Sequence, residues 1–510
     1  MALNQMTVVA VIGAGAMGAG IAEVAARARH HVLLFDTVVG VAEKARAGIA
    51  DRFRRAIQKG NMTEQEAASI ITRIEPVAAL NGVARAGLVI EAIVEAVEPK
   101  HVLFKALEGL VGEEAVLATN TSSLSVTQLG SVLTKPQRFL GLHFFNPAPI
   151  MALVEVISGI QTPKALADEA TGLMRAWGKE PVQCRSTPGF IVNRIARPYY
   201  GEAVRLLEEG VATPATIDAL MMEAGGFRIG PFGLMDLVGL DVNLAANTGV
   251  WQGLGQDPRY APTVIQREMA ASGNLGRKTG RGYYDYEEGA KRPEPATAAP
   301  AARPAKVALR GEAGVTAPLI ARARDAGVTI DTLAGPPALV IDGHALALSD
   351  GRPAALRYAA DLGRPAVLFD HARNFATATR IAIAPAPQAE PAALGAAIGF
   401  FQALGIAVSV VGDSAGLVVL RTLAMAANEG VVALEAGVCG PSDVDLAMEK
   451  GTNWPEGPLA WGVRVGLDVV LEAMEHMAAT TGSDRYRPSM LLRRAAVQGV
   501  GLDRALVRFA

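Results

Sequence analysis

Residues 7–36 read TVVAVIGAGAMGAGIAEVAARARHHVLLFD, and this stretch decides the fold of the first half of the chain. A β-branched run suited to a buried parallel strand leads into the glycine motif GAGAMG at 13–18. An apolar pattern of helical period follows, and a second short apolar strand ends in Asp36. Strand, glycine turn, helix and strand in this order are typical of a βαβ unit that binds a dinucleotide.

The three glycines of this motif are expected to have different roles. Gly13 permits the tight turn, Gly15 lets the backbone approach a pyrophosphate, and Gly18 lets the helix pack closely on the sheet. Ala16 and Met17 open the helix, whose positive end would meet the phosphates. The motif therefore predicts that all five residues line a cofactor site.

The position of Asp36 indicates which cofactor is bound. Its carboxylate can accept hydrogen bonds from ribose hydroxyls and would repel a 2′-phosphate, which favours NAD over NADP. A nicotinamide cofactor implies hydride transfer. FAD, or a glycine-rich turn without any ligand, are the alternatives that this stretch leaves open.

The composition excludes several classes of function. Half of the 510 residues are hydrophobic and 19% are charged, which provides apolar material for several cores. The formal net charge of −2 gives no general attraction to nucleic acid or anionic lipid. Cys184 and Cys439 match no metal-ligand spacing, which predicts no metal site, no disulfide and a reducing compartment. No signal peptide and no membrane-spanning run is evident, so a cytoplasmic location is expected.

The order of predicted elements divides the chain into α/β and all-α parts. Strands alternate with helices in the first part, which predicts a doubly wound parallel sheet. Only helices and loops follow up to about Tyr286, and a segment rich in Pro and Ala comes next. The predicted divisions are a Rossmann domain over 1–186, an all-α domain over 187–286, a linker over 287–305, a reduced Rossmann-like α/β domain over 306–412 and a second, non-catalytic all-α domain over 413–510.

The second all-α part repeats the first at a constant offset of 227 residues. Matching positions fall at the same spacing throughout: Gly189 and Gly416, Arg194 and Arg421, Glu202 and Glu429, Gly210 and Gly437, Asp218 and Asp445. So many matches without a gap indicate a duplicated helical domain.

The stretch GLHFFNPAPIMALVEVI at 141–157 contains a histidine and a carboxylate among apolar residues. Burying His143 or Glu155 alone would be unfavourable, so we expect the two to face each other across the turn that the Asn-Pro-x-Pro sequence makes. A histidine oriented by a carboxylate suits the removal of a hydroxyl proton during hydride transfer. The alternative interpretation is a purely structural ion pair.

Together these segments resemble the L-3-hydroxyacyl-CoA dehydrogenase family, and the resemblance covers residues 7 to 286. It implies an NAD-binding Rossmann domain followed by a helical domain that supplies a dimer interface. The matching motifs, in chain order, are GAGAMG, LVIEAIVE, TNTSS, HFFNPAPIMALVEVI, TPGFIVNR, GPFGLMDLVGLD and GRKTGRGYYDY.

The resemblance implies a role for each matching residue. His143 corresponds to the catalytic histidine, Glu155 to its partner glutamate, and Ser122 and Asn193 to residues that contact the substrate. Contacts to NAD are implied for Glu95, Lys100, Asn120, Ser122, Asn146 and Lys278. Lys59 matches a contact to coenzyme A, and Arg52 adds positive charge for the phosphates. For Lys100 and Lys278 an ordinary surface lysine is the alternative, and for Arg52 a solvated helix face.

The activity implied by the family is NAD-dependent oxidation of a (3S)-3-hydroxyacyl-CoA to the 3-oxoacyl-CoA. A catalytic half followed by a degenerate half resembles the long bacterial members, including those of phenylacetate degradation. The resemblance therefore implies 3-hydroxyadipyl-CoA or 3-hydroxybutyryl-CoA as substrate. A distal carboxylate on the acyl chain would require a cation, for which Arg194, Arg197 and Arg228 are candidates.

The second half lacks the catalytic residues. At the offset of 227, His143 becomes Asp370, Glu155 becomes Ala382 and Asn193 becomes Leu420. We expect the second helical copy to pack on the first as a dimer contact would, which leaves the whole chain monomeric or free to form a homodimer. Two other functions remain open at this stage: a dehydrogenase of a free hydroxy acid or sugar acid, and a non-catalytic NAD-binding protein.

Overall fold

The computed structural model describes residues 3–357 and 366–506 of the chain. The chain divides into two compact units. The first unit contains Met1–Arg194 and Ala436–Thr452, and the second contains Ile195–Glu435 and Asn453–Ala510.

The first unit is built on an eight-stranded sheet. The strands are β1 (Val9–Ile12), β2 (Val32–Phe35), β3 (Ile74–Pro76), β4 (Leu88–Glu91), β5 (Val116–Thr119), β6 (Phe139–Phe144), β7 (Leu153–Ser158) and β8 (Glu180–Arg185). Their order is β3-β2-β1-β4-β5-β6-β7-β8, and every neighbouring pair is parallel except β6 and β7. The central strands are buried along their whole length, as a parallel sheet covered on both faces requires.

The second unit contains a smaller and more irregular sheet of seven strands. They are β9 (Val307–Arg310), β10 (Ile330–Leu333), β11 (Ala338–Ile341), β12 (His344–Leu348), β13 (Ala366–Phe369), β14 (Arg380–Pro385) and β15 (Ala407–Val410). Their order is β10-β9-β11-β12-β13-β14-β15, and three of the neighbouring pairs are antiparallel. The described part of this sheet is the reduced Rossmann-like domain that the sequence predicts.

Helices cover the first sheet and form the all-α parts. In the first half they are α1 (Ala16–Arg27), α2 (Val41–Gln58), α3 (Glu64–Ile71), α4 (Val97–Leu110), α5 (Val126–Gly130), α6 (Lys164–Ala176), α7 (Val192–Ile195), α8 (Arg197–Glu208), α9 (Pro214–Glu223), α10 (Pro231–Val238), α11 (Leu240–Gly253) and α12 (Val264–Ala271). In the second half they are α13 (Ala317–Asp325), α14 (Ala354–Arg357), α15 (Pro391–Ala403), α16 (Val419–Glu435), α17 (Pro441–Thr452), α18 (Pro458–Val465), α19 (Leu467–Thr481), α20 (Met490–Gln498) and α21 (Leu502–Ala505). None of the helices that the structure describes has the length and apolar character needed to cross a membrane. The predicted fold class, two α/β sheets each followed by helices, is confirmed.

The duplication is visible in how each helical copy contacts a sheet. Within the first unit, the N–H of Arg185 at the end of β8 donates to the carbonyl of Val438 at 2.8 Å, and α17 packs on β7 and β8. Within the second unit, the N–H of Gly412 donates to the carbonyl of Val211 at 2.9 Å, and α9 packs on β14. Both pairs of positions are related by the offset of 227 residues. Each helical copy therefore places one segment against the sheet of the other half.

The two helical copies also pack on each other inside the second unit, where α8 lies against α16. Glu202 on α8 accepts a hydrogen bond from Nε of Arg485 at 2.7 Å. Its duplicate on α16, Glu429, pairs with Nη1 of Arg259 at 3.5 Å. Burial alone would raise the pKa of Glu202, but Arg485 and Arg421 lower it to about 2. The contact has the reciprocal form of a two-fold dimer interface within one chain.

Candidate active site

The glycine turn between β1 and α1 leaves space at one position and none at two others. A Cβ on Gly13, which has φ +97°, would lie 2.5 Å from the carbonyl oxygen of Ala92. A Cβ on Gly18 would lie 1.7 Å from the carbonyl oxygen of Gly13, whereas one on Gly15 meets nothing within 4 Å. The turn thus packs tightly against the sheet and is open at Gly15, where a pyrophosphate would approach.

Asp36 supports the turn from the end of β2. Its Oδ2 accepts a hydrogen bond from the N–H of Ala14 at 2.8 Å, and its Oδ1 accepts one from the N–H of Val38 at 2.9 Å. Helix α1 begins directly after Gly15. The first N–H groups of a helix have no acceptor within the helix, and here no side chain caps them either. An open glycine, a helix N-terminus and a carboxylate at the next strand end are the features that fit NAD.

His143 and Glu155 face each other on β6 and β7. They are paired residues in the antiparallel register of the two strands, and Nδ1 of the histidine lies 2.7 Å from Oε2 of the glutamate. His143 is 6% exposed and Glu155 is fully buried. No described residue forms a hydrogen bond with Nε2 of His143, so the pair presents one free imidazole nitrogen.

The loop between the two strands is held by a lysine that the sequence analysis did not single out. Nζ of Lys179 donates to the carbonyl oxygens of Ala148 and Met151 at 2.6 and 2.8 Å. These bonds fix both ends of the APIM segment and thereby the register that aligns the dyad. An isolated lysine in WGKEP gives no sequence signal for this role.

The second oxygen of Glu155 fixes the start of the helical part of the chain. Oε1 accepts hydrogen bonds from the N–H groups of Ile191 and Val192, each at 3.0 Å. Together with Nδ1 of His143, these two N–H groups give the carboxylate three hydrogen-bond partners. The same contacts fix the backbone directly before Asn193.

Asn193 and Ser122 lie next to each other in the first unit. Nδ2 of Asn193 is 3.4 Å from the carbonyl oxygen of Ser122. The serine loop is held in turn by Glu95, whose Oε1 accepts from Oγ1 of Thr121 at 2.6 Å and from the N–H groups of Ser122 and Ser123 at 2.9 and 3.1 Å. Burial alone would raise the pKa of Glu95, but these hydrogen bonds and the nearby Lys100 lower it.

Lys100 is a buried residue and not the surface lysine that the sequence left as an alternative. It is 1% exposed. Its Nζ donates to Oε1 of Glu91 at 2.6 Å and lies 3.3 Å from Oε2 of Glu95. Both contacts are with carboxylates of the protein, and one of these carboxylates, Glu95, holds the serine loop. Glu91 was not predicted, although a carboxylate that ends the buried strand LVIE is a recognisable signal.

Three residues with expected NAD contacts remain: Asn120, Asn146 and Lys278. Oδ1 of Asn120 accepts from the N–H of Phe144 at 2.8 Å, next to the dyad, while Asn146 is exposed in the following loop. Lys278, in the second unit, forms an ion pair with Asp241 at 2.5 Å.

The two residues expected to contact coenzyme A lie on and after α2. Lys59 is exposed at the C-terminal end of the helix. Nη2 of Arg52 donates to Oε2 of the buried Glu23 at 2.7 Å, which occupies part of its guanidinium. Lys59 is thus the unpaired cation of the two within the described part of the chain.

The second half keeps the backbone anchor of this site without its base. Oδ2 of Asp370 accepts hydrogen bonds from the N–H groups of Val418 and Val419 at 2.8 and 2.6 Å. Nε2 of His371 contacts the carbonyl oxygen of Ser349 at 3.0 Å, and burial lowers the pKa of this histidine to about 4. The described residues therefore contain no second dyad at the duplicated position.

One cluster among the described residues has three potential metal ligands: Asp350, Glu472 and His476. Arg352 forms an ion pair with Asp350 at 2.5 Å. All of these residues lie in the second unit, whereas the dyad lies in the first.

Family models match most of the chain, apart from residues 287–345 and the two ends. A family model described as "3-hydroxyacyl-CoA dehydrogenase, NAD binding domain" matches residues 8–187. The model "3-hydroxyacyl-CoA dehydrogenase, C-terminal domain" matches both helical copies, at 189–286 and 416–502. A third, "3-hydroxybutyryl-CoA dehydrogenase reduced Rossmann-fold domain", matches residues 346–414.

Individual relatives agree with the family models. The 3-hydroxyadipyl-CoA dehydrogenase of Escherichia coli K12 is 40% identical over 504 residues, which is 99% of this chain and 100% of that protein. A probable 3-hydroxybutyryl-CoA dehydrogenase of Bacillus subtilis is 40% identical over 54% of this chain and 96% of its own length. The crystal structure of 3-hydroxybutyryl-CoA dehydrogenase from Escherichia coli K12 superposes with a TM-score of 0.89, 38% identity, 97% coverage of this chain and 99% of that one. The chain therefore belongs to the 3-hydroxyacyl-CoA dehydrogenase family, a family of NAD-dependent oxidoreductases.

Proposed function

We propose that this protein oxidises a (3S)-3-hydroxyacyl-CoA to the 3-oxoacyl-CoA through the dyad of His143 and Glu155. The observation that carries the proposal is the 2.7 Å contact between Nδ1 of the histidine and Oε2 of the glutamate. It leaves Nε2 unpaired within the described residues, at the strand ends where open α/β sheets bind their ligands. The glycine turn of Gly13, Gly15 and Gly18 would hold NAD, which would supply the acceptor for the hydride from C3 of the substrate.

The role of His143 is that of the general base. Glu155 accepts a hydrogen bond from Nδ1–H, so the proton stays on Nδ1 and Nε2 carries a lone pair that can take the proton of the 3-hydroxyl group. The imidazolium that forms is stabilised by the carboxylate, whose charge is itself stabilised by the N–H groups of Ile191 and Val192. The proton therefore stays on His143 after the C–H bond has broken.

Ser122 and Asn193 position the substrate oxygen atoms. The hydroxyl of Ser122 binds the 3-hydroxyl group beside His143, and the amide of Asn193 donates to the thioester carbonyl or the reacting oxygen. Their proximity, with Asn193 Nδ2 at 3.4 Å from the Ser122 carbonyl, supports this arrangement. Glu95 has an indirect role in this proposal, because it holds the loop that carries Ser122.

The proposed substrate is 3-hydroxyadipyl-CoA, with 3-hydroxybutyryl-CoA as the shorter alternative. Support comes from the full-length relative named for the adipyl substrate, which is 40% identical over 99% of this chain. Lys59 is proposed to contact the phosphates of coenzyme A, with Arg52 adding positive charge. The proposed location of the reaction is the cytoplasm.

The proposal is tested by following NADH formation from CoA thioesters of 3-hydroxy acids with the wild type and the His143→Gln variant. Removal of the base is expected to lower kcat by roughly two to four orders of magnitude, while NAD binding changes little. Lys59→Ala should raise KM for the thioester without a large change in kcat. Equal turnover of the free hydroxy acid and its thioester, or unchanged kcat in the His143 variant, would refute the proposal.

A further inference from the structure

The second sheet contains a βαβ unit with a glycine turn of its own. Strands β9 and β10 are parallel, and α13 connects them. Gly311 follows β9 directly, as Gly13 follows β1, and the two glycines have φ +70° and +97°. The N–H of Gly311 donates to the carbonyl of Leu333, the last residue of β10, at 3.0 Å. The N–H of Gly13 donates in the same way to Phe35, the last residue of β2, at 2.8 Å. The turn before α13 therefore repeats the backbone arrangement of the cofactor turn, although its sequence has no GxGxxG motif.

This turn is closed at its first glycine and open at its second. A Cβ on Gly311 would lie 2.6 Å from the carbonyl oxygen of Gly335, whereas one on Gly314 meets nothing within 4 Å. A 3-10 turn over Gly314–Thr316 leads directly into α13, and no side chain caps that helix. Within the described ranges, the N–H groups of Gly314 and Val315 donate to no other residue. They are the uncapped N–H groups at which a helix start binds an anion.

A cavity of about 570 Å³ lies at this turn. Strands β9 and β13 run in the same direction, so their C-terminal ends share one edge of the sheet. The cavity is lined there by Gly314 and Val315 after β9, by residues 371–375 after β13 and by Arg464 of α18. All of these residues belong to the second unit. The cavity volume falls in the range of small-molecule sites, about 300–1,000 Å³, and the strand ends are where open α/β sheets bind ligands.

The charged side chains that line the cavity leave one cation without a partner. Nε and Nη2 of Arg464 donate to the two oxygens of Glu456 at 2.8 and 2.7 Å, so this pair is neutral. The guanidinium of Arg373 forms no hydrogen bond or ion pair with any residue that the structure describes. Its side chain rests on Gly226, where a Cβ would lie 2.7 Å from Nε, and its backbone N–H donates to the carbonyl of Ala224 at 2.9 Å. The cavity thus has a net positive charge, carried by an arginine whose position is fixed from behind.

His371 adds a hydrogen-bond acceptor to the same cavity. The residue is 2% exposed, and its Nε2 lies 3.0 Å from the carbonyl oxygen of Ser349. A carbonyl oxygen can only accept, so Nε2 carries the proton. Burial lowers the pKa of His371 to about 4, so the ring is neutral at pH 7 and Nδ1 has a lone pair. No described residue forms a hydrogen bond with Nδ1, which therefore requires a donor from outside the protein.

We propose that this cavity binds a small phosphate monoester. The phosphate would lie at the N–H groups of Gly314 and Val315 and at the guanidinium of Arg373, and a hydroxyl or N–H group of the ligand would donate to Nδ1 of His371. Asn374 adds an NH2 group, because its Oδ1 already accepts from the backbone at 2.9 Å. These donors are enough for the three terminal oxygens of a phosphate, which a carboxylate with two oxygens would leave partly unused.

The end of β10 distinguishes this cavity from a dinucleotide site. In the first unit Asp36 follows β2, and its carboxylate supports the glycine turn. The residues after β10, at 334–337, read AGPP and offer no carboxylate to ribose hydroxyls. The second half therefore has the donors for a phosphate group without the carboxylate that selects NAD.

The test is a calorimetric titration of the full-length protein with ribose 5-phosphate in the presence of saturating NADH, which occupies the cofactor turn of the first unit. We expect one molecule to bind per chain, more tightly than inorganic phosphate, whereas ribose should not bind. Arg373→Met should weaken the binding of ribose 5-phosphate by roughly tenfold or more. Arg324→Met, which removes an exposed arginine from the last turn of α13, is the matched control and should bind as the wild type does.

Several results would overturn the inference. Ribose 5-phosphate that does not bind beside NADH, or that binds wild type and Arg373→Met equally, would refute the phosphate site. If Lys59→Ala abolishes the binding and Arg373→Met does not, the probe binds in the first unit and the inference is wrong. Equal affinities for ribose 5-phosphate and inorganic phosphate would refute the role of His371.

Arg373 is partly exposed and has no partner among the described residues, so the methionine variant should fold. If it does not, crystals of the wild type soaked with ribose 5-phosphate decide the question. The phosphate should then lie at the N–H groups of Gly314 and Val315, and a phosphate bound only elsewhere would contradict the inference.

Discussion

Replacing Glu155 by glutamine tests whether the carboxylate sets the tautomer of His143. The glutamine oxygen can still accept the N–H groups of Ile191 and Val192, which lie 3.0 Å from Oε1 of the carboxylate. Its NH2 group then occupies the place of Oε2, 2.7 Å from Nδ1 of His143. Two donors cannot face each other at this distance, so the imidazole proton moves from Nδ1 to Nε2. Nε2 then donates a hydrogen bond and can no longer take the hydroxyl proton.

The size of the effect follows from this change of tautomer. In a hydrolase with the same arrangement of base and carboxylate, the corresponding substitution lowers kcat by about four orders of magnitude. For a reaction in which only the proton transfer is affected, we expect a loss of about 10³-fold, which corresponds to about 4 kcal/mol of transition-state stabilisation. The backbone hydrogen bonds survive, so the free energy of unfolding should fall by no more than about 1 kcal/mol.

The assay is steady-state NADH formation by Glu155→Gln, His143→Gln and the double variant. If Glu155 acts only through His143, the double variant will be no slower than His143→Gln alone. Glu155→Asp, which keeps the charge, is the control and should retain more activity than the glutamine variant. The reasoning fails if Glu155→Gln folds normally and keeps kcat within about tenfold of the wild type. It also fails if the two single effects multiply in the double variant.

Three further predictions concern the cofactor turn and the contact between the helical copies. Gly18→Ala should lower the melting temperature strongly, since its Cβ would lie 1.7 Å from a main-chain oxygen; Gly15→Ala, with nothing within 4 Å, should keep the melting temperature and raise KM for NAD. Equal effects of the two alanines on melting would contradict this. Asp36→Ala should lower kcat/KM with NAD and raise the activity ratio of NADP to NAD in the same assay, and an unchanged ratio would show that Asp36 does not select the cofactor. The third prediction concerns Glu202, whose pKa is about 2 in the folded protein against an ordinary value of 4.5. Its charged form therefore stabilises the fold by roughly 3 kcal/mol above pH 4.5. This stabilisation is lost as the pH falls through 2. Urea unfolding of Glu202→Gln should show this loss at pH 7 and little difference from the wild type near pH 2, whereas a difference that persists at pH 2 would mean that the ion pairs are not its cause.

The sequence predicted those parts of the fold and site that depend on local pattern. The β-branched strand before Gly13, the helical period after Gly18 and the offset of 227 residues are all local or additive signals. The facing of His143 and Glu155 could be predicted because a short turn between two apolar runs leaves one antiparallel register that pairs two isolated polar residues.

Contacts made by residues distant in sequence could not be predicted in this way. Lys100 resembles a surface lysine on an amphipathic helix, and only the fold brings Glu91 and Glu95 to it. Lys179 holds carbonyl groups about thirty residues earlier, for which no side-chain pattern exists. The segment Ala436–Thr452 reads as a continuation of the second helical copy, whereas in the structure it belongs to the first unit. Docking of a helix on a particular sheet depends on surface shape, which periodicity does not encode.

The duplicated half separates two roles that Glu155 combines. In the first unit the carboxylate binds two backbone N–H groups, at 191 and 192, and also orients His143. In the second unit Asp370 binds the N–H groups at 418 and 419, which are the same two positions after the offset of 227, but it does so from the residue directly after β13, the strand that corresponds to β6. The two N–H groups are buried in both copies, so each pair needs an acceptor. The residue that supplies this acceptor differs between the two halves. An acceptor for these two amides is therefore a requirement of the fold, satisfied in both halves, whereas in the mechanism that we propose the acceptor on the strand opposite the histidine also serves catalysis. In that mechanism a carboxylate at the position of Glu155 is needed where a base must be oriented, and the second half, which has Ala382 at the corresponding position, retains an acceptor for the amides from Asp370 instead.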